Sequence, residues 1–234
     1  VLRADSDWQP ASEDLLAHHT LRPVLNNIAN TVISFGGGQV VVDAEPQKFS
    51  AIQIEDTRPI VAFSSITYSA DSAISATPNS FEESHGRAGP EFRGNTLLGN
   101  STNGVFLAIE TEFGQPLEKL DVSARFSSTE VTYVIQESLV LAGGAGSYFT
   151  DNDGVIRARP SGRLQIDPGV VIKSKSSRIE LERGKAQLLA EGEAHDRIVF
   201  TSLGDSRYGA SGSFNTNGDS PDVVAPGDWG GIIL

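Results

Sequence analysis

Two short stretches of this 234-residue chain gather hard oxygen donors around glycine: Asp151-Asn152-Asp153-Gly154 and Asn215-Thr216-Asn217-Gly218-Asp219. Carboxylate and amide oxygens are the ligands that Ca²⁺ prefers, so Asp151, Asp153, Asn217 and Asp219 are the candidate metal ligands and calcium the candidate cofactor. Neither stretch continues into an EF-hand loop, because the twelfth position counted from Asp151 is Gly162 and not Glu. Turns between strands use the same residues, since Asn, Asp and Gly tolerate positive φ, and both readings stand. Other chemistry has little material. There is no cysteine, hence no thiol nucleophile. His18-His19, His85 and His195 lie far apart, with no His-x-x-x-His spacing for a transition metal. Gly209-Ala210-Ser211-Gly212 is one residue short of a nucleophile elbow. No residue is assigned a catalytic role.

The elements that must position these residues repeat. From Pro59 the next apolar marks fall at Ile66 and Ile74, and from Pro90 they fall at Leu97 and Val105, at the same two offsets. Arg22-Pro23 opens a looser copy, with Ile28 and Val32 out of step. A period in the thirties built of short strands points to stacked units, none of which buries its apolar face alone. The last third has five short alternating strands around Leu164/Ile166, Val170/Ile172, Ile179/Leu181, Ala186/Leu188 and Ile198/Phe200. Antiparallel hairpins in a β-sandwich or stacked strands in a parallel β-helix would both produce this spacing. Val171 to Leu189 and Ile179 to Ile198 are nearly equal steps, which favours the β-helix. Ile166, Ile179, Leu181, Leu188, Ile198 and Phe200 are then expected to point inward.

Three segments follow. Residues 1–20 read as an approach segment, with Ser12 placed to cap a short helix. Residues 21–115 are less regular strand and turn, with a polar loop from Pro78 to Gly89 and a seam at Gly114-Gln115-Pro116. Residues 116–234 continue the strands, interrupted by an insertion at 204–227 that carries Arg207, Tyr208, Phe214 and Asp222, a mix suited to a sugar or a protein partner. Trp229, before two glycines, is expected to pack at a corner.

Composition narrows the partners. A net charge of −12 and many acidic groups argue against nucleic acid, which needs clustered Lys and Arg, and against anionic lipid surfaces. No apolar stretch is long enough to span a bilayer. The chain has no Met, opens on Val1-Leu2 and stops at Ile232-Ile233-Leu234 in what reads as mid-strand. A fragment is expected, with further strands stacked beyond Leu234.

Four phrases carry a resemblance. Ile166-Asp167-Pro168-Gly169-Val170-Val171-Ile172-Lys173, Ala186-Gln187-Leu188-Leu189-Ala190-Glu191-Gly192, Arg197-Ile198-Val199-Phe200-Thr201-Ser202-Leu203 and Pro226-Gly227-Asp228-Trp229-Gly230-Gly231-Ile232 occur in this order. The set resembles the right-handed parallel β-helix segments, often described as pectin-lyase-like, of very large secreted and cell-surface bacterial proteins. Residues 58–107, with Asn95, Asn100 and Asn103 near corners, are similar to looser rungs of that class. The resemblance implies an all-β solenoid, outside the cell or at its surface, whose partners are other segments of the same large protein, neighbouring copies, glycans or surface proteins. It implies little about chemistry, because such folds host enzymes and inert stalks alike. Against the polygalacturonase pattern the chain fails: Asn215-Thr216-Asn217 lacks the aspartate, Ser84-His85-Gly86 comes before it, and no Asp-Asp pair exists. The expectation is therefore a structural or adhesive module, and the alternative is a fragment of a carbohydrate-active β-helix.

Overall fold

The computed structural model describes residues 8–9, 22–23, 26–84, 87–109, 118–144, 148–150, 154–158, 161–211, 213–218, 220 and 223–234. Among them the regular structure is almost wholly β-strand, joined by turns and irregular segments, with a single turn of 3₁₀ helix at Pro78–Phe81. The main ladders are parallel. One six-stranded sheet takes Ile52–Ile54, Ser72–Ala76, Thr102–Leu107, Thr132–Ile135, Val171–Ser174 and Val199–Ser202 in sequence order. Three-stranded parallel sheets flank it. Asn27–Ala29, Ile60–Ala62 and Glu91–Arg93 form one, and Val32–Ser34, Ser65–Thr67 and Thr96–Leu98 another. Further along the chain, Ser123–Phe126, Arg163–Ile166 and Gln187–Ala190 form a third, and Leu139–Leu141, Ile179–Leu181 and Ile232–Ile233 a fourth.

One inward residue per strand marks the register. Ile52, Ile74, Val105, Tyr133, Ile172 and Phe200 pair successively across the long sheet; the first five are buried in one apolar core and Phe200, partly buried, packs against it. Because side chains alternate along a strand, a slip of one residue would turn this column outward. Phe126 stacks on Tyr133 with ring centroids 4.3 Å apart, and Phe81 meets Phe126 edge-on at 4.8 Å. Burial holds the Tyr133 phenol protonated far above its ordinary range.

The offsets from Pro59 and Pro90 coincide with the ladder, since Leu97 pairs with Ile66 and Val105 with Ile74. The Arg22-Pro23 phrase does not. It lies in a short antiparallel pair with Trp8–Gln9, and the true counterparts of Val61 and Ile66 are Ile28 and Ile33. The nearly equal steps in the last third are also not the stacking period. Val171 pairs with Val199 and not Leu189, while Ile179 lies between Leu139 and Ile232 and not beside Ile198. Of the six residues expected inward, Ile166 and Ile179 are fully buried. Leu181, Leu188, Ile198 and Phe200 pack against the core from one side and stay partly exposed. The Pro78–Gly89 segment is less polar in place than in sequence, because Pro78, Ser80 and Phe81 are buried. The helix at Ser12 and the seam at 114–116 lie outside the described residues.

Corners carry a repeated device. Asn30, Phe63 and Gly94 stand at one equivalent position, and Phe35, Tyr68 and Gly99 at the next, all with positive φ. After Gly94 and Gly99 the next residue turns its side chain back one repeat. Asn95 accepts from Ser64 N–H at 3.0 Å, Asn100 accepts from Ser69 N–H at 2.9 Å, and the Asn100 amide donates to Ile66 C=O at 2.8 Å. Gly94 is needed twice: its φ is +57°, and a Cβ there would stand 2.7 Å from the Phe63 ring. A separate antiparallel hairpin, Gly38–Val42 with Glu45–Phe49, turns at Asp43-Ala44, both at positive φ.

Candidate functional site: the outer groove of the long sheet

The outward residues of the long sheet floor a groove. Two contiguous recesses of about 630 and 670 Å³ share Ser101, Thr102 and Gln136. The floor is hydroxyl and amide: Gln53, Ser72, Ser75, Thr102, Gln136 and Ser202. Phe106 is its aromatic member. The alternation that sends Ile74 and Val105 inward sends Ser75 and Phe106 outward, so core and groove are two faces of one pattern.

One wall is formed by described residues between 203 and 227, among them Gly204, Asn217, Ser220, Val223 and Gly227. Lys173, paired between Val134 and Thr201 on the outward column, would face solvent without it. It is instead wholly buried, its ammonium donating to Phe214 C=O and Thr216 Oγ1, each at 3.1 Å. Asn103 N–H donates to Thr216 C=O at 2.7 Å, and its amide to Asn215 C=O at 3.0 Å. A buried ammonium is tolerated only where such acceptors replace water. At the start of the segment Asp205 is also buried and takes both prongs of Arg207 at 2.9 Å together with Thr201 Oγ1. The Arg207 guanidinium holds this carboxyl well below the usual range, against the effect of burial. Of the insertion expected at 204–227, the described residues thus anchor on the sheet through Asp205 and Thr216, while Tyr208 and Phe214 stay exposed and Asp222 lies outside the described residues.

The groove carries charge at its ends. Asp71 pairs with Lys48 at 3.3 Å. Asp228 accepts from Ser202 Oγ at 2.6 Å and Ala225 N–H at 3.0 Å, and chiefly through the Ser202 bond its carboxyl is held below its ordinary value. Glu182, beside Lys119 on another face, is lowered as well. A glycosidic acid needs a carboxyl that keeps its proton. The three displaced carboxyls all move the other way.

No family model, curated protein or solved structure matches this chain.

Asn217 lines the groove, and its carbonyl accepts from Ser220 N–H at 3.3 Å. Its expected partner Asp219, and Asp151 and Asp153, lie outside the described residues, as do His18, His19 and His85. His195 is exposed. Among the described residues no group of three His, Asp or Glu stands close enough to hold a metal ion. Trp229 is partly buried and stacks on Phe200 with centroids 6.5 Å apart. No helix among the described residues is long and apolar enough to cross a membrane.

Sequence reasoning missed Lys173, Thr216 and Asp205 as the anchors of the wall. A lysine at an outward strand position carries no sign of burial until its cover is placed. It also missed a second polar lattice, where Arg125 bridges Asp167 at 2.9 Å and Glu83 at 3.2 Å across separate strands.

Proposed function

We propose that the chain is a length of parallel β-helix, a solenoid in which each passage stacks on the last. It serves as a structural or adhesive module of a large extracellular or cell-surface protein. The observation that carries this reading is the column of paired apolar residues from Ile52 to Phe200 across six parallel strands taken in sequence order, since a stack of this kind draws its stability from neighbour contacts. The groove supports the adhesive part. Its hydroxyls and amides can bond a partner, and Lys48, Asp71, Glu137, Lys175 and Asp228 stand among them. Its partners are glycans, surface proteins, or other segments and copies of the same protein. Calcium at Asp151/Asp153 or Asn217/Asp219 would brace the loops by binding only the folded state.

The deciding experiment is incubation with polygalacturonate and alginate, following new chain ends. No cleavage is expected. Cleavage that disappears in Asp228→Asn would overturn the module reading in favour of a carbohydrate-active enzyme. A thermal melt with calcium and with chelator tests the ion, and an unchanged midpoint rejects it.

A further inference from the structure

Beyond the wall formed by residues 213–218, on the side away from the groove, lies a second recess of about 400 Å³. Tyr68, Leu98 and Phe214 supply its apolar surface, and Ser213 and Asn215 stand among them. The recess continues into a smaller one of about 220 Å³ that shares Leu97, Leu98, Asn103 and Ser213 and reaches Thr132. We propose that this recess binds an uncharged pyranose unit of a glycan.

Three observations carry the proposal. The first is the aromatic surface. Tyr68 is 54% exposed and Phe214 47% exposed, and Leu98 beside them 58%. Tyr68 holds its ring there from a backbone at φ +59°, at a position that the next repeat fills with Gly99. Phe35 stacks on the same ring at 5.3 Å. Gly99 itself lines the recess, and a Cβ there would stand 2.8 Å from the Tyr68 ring, so the bare glycine leaves space against that ring. The second is an orphaned hydroxyl. Thr132 is 2% exposed, its Oγ1 has no hydrogen-bond partner among the described residues, and the residue lines the smaller recess. A buried hydroxyl without a partner costs free energy that a ligand hydroxyl or water would recover. The third is charge. The chain carries −12, but no charged side chain lines the larger recess. Glu130, at the far end of the smaller one, is engaged by Gly94 N–H.

A pyranose fits all three. Its C–H face is weakly positive and packs on the negative face of an aromatic ring, while its equatorial hydroxyls meet Ser213 and Asn215, and a small shift of the lining would bring one to Thr132. A bare hydrocarbon would leave the polar groups unpaired, and a uronate would meet the chain's negative field. The proposal rests on the adhesive reading and names the partner class for a site apart from the long groove.

The test is saturation-transfer NMR on the whole chain with neutral gluco-, manno- and galacto-oligosaccharides, with oligogalacturonate in parallel. Binding of at least one neutral series is expected, with transfer to one face of the sugar ring. Tyr68→Gly relieves the backbone strain and so keeps the fold, and it should weaken binding roughly tenfold, as should Phe214→Ala. A melt of each variant separates lost binding from lost folding. The absence of any neutral binder, preference for the uronate, or binding retained in both folded variants would overturn the proposal. Cleavage of a polysaccharide would sink the module reading and leave this site standing.

Discussion

Phe63 and Tyr68 occupy backbone conformations that glycine adopts freely and bulky residues adopt at a cost of about 1–3 kcal/mol. Each lays its ring over a glycine of the next repeat, Gly94 and Gly99, so the strain of one position is coupled to the bareness of another. Gly94→Ala should therefore destabilise by roughly 1–3 kcal/mol in urea unfolding, from backbone strain and ring collision together. Phe63→Gly should change stability far less, because relief of strain opposes the lost packing. Equal effects from the two substitutions would show that the ring and not the backbone dominates. In the core the balance is simpler. Ile179 is fully buried between Leu139 and Ile232, and Ile179→Asp should leave little folded protein in circular dichroism, since a carboxylate there has neither water nor a partner.

At the scale of elements, the wall at 203–227 is fastened to the long sheet by few bonds, and Lys173 is central to them. Replacing its ammonium in Lys173→Met leaves Phe214 C=O and Thr216 Oγ1 without that donor. The sheet beneath keeps its own ladder. Local opening is expected to increase while the global melt moves little. The reporter is hydrogen exchange at Asn103 N–H, which donates to Thr216 C=O. It should exchange faster in the variant while Tyr133 N–H in the strand does not. Uniform acceleration would mean that wall and sheet unfold as one unit.

At the scale of the molecule, the displaced carboxyls set the acid limit. Asp205 is lowered chiefly by Arg207, Glu182 by Lys119 and Asp228 by Ser202. Folded values below the unfolded ones, about 4 for Asp and Glu, mean that the unfolded chain binds protons first as pH falls. Their contribution is complete above about pH 5 and is lost progressively below about pH 4. The melting temperature should follow that course, and Asp205→Asn should flatten the acid limb while lowering the neutral plateau. An acid limb unchanged in this variant would remove Asp205 from the account.

The sequence by itself determined the strands and their inward faces. Alternation at Ile52/Ile54, Leu164/Ile166 and Ile179/Leu181 marks the buried side because only apolar side chains can be placed there without partners. The matching offsets from Pro59 and Pro90 even carried the register of one repeat. Which strands lie together was decided by the tertiary structure. Val171 reaches Val199 across a passage whose length no local pattern encodes, and Ile179 reaches Ile232 across the whole wall segment. The site was legible only in its parts. Asn215 to Asp219 stood out as a polar cluster, but Lys173, Tyr68 and Thr132 looked like ordinary strand and corner residues. What makes them different is what covers or fails to cover them, and that is fixed by contacts distant in sequence, which no spacing of residue types records.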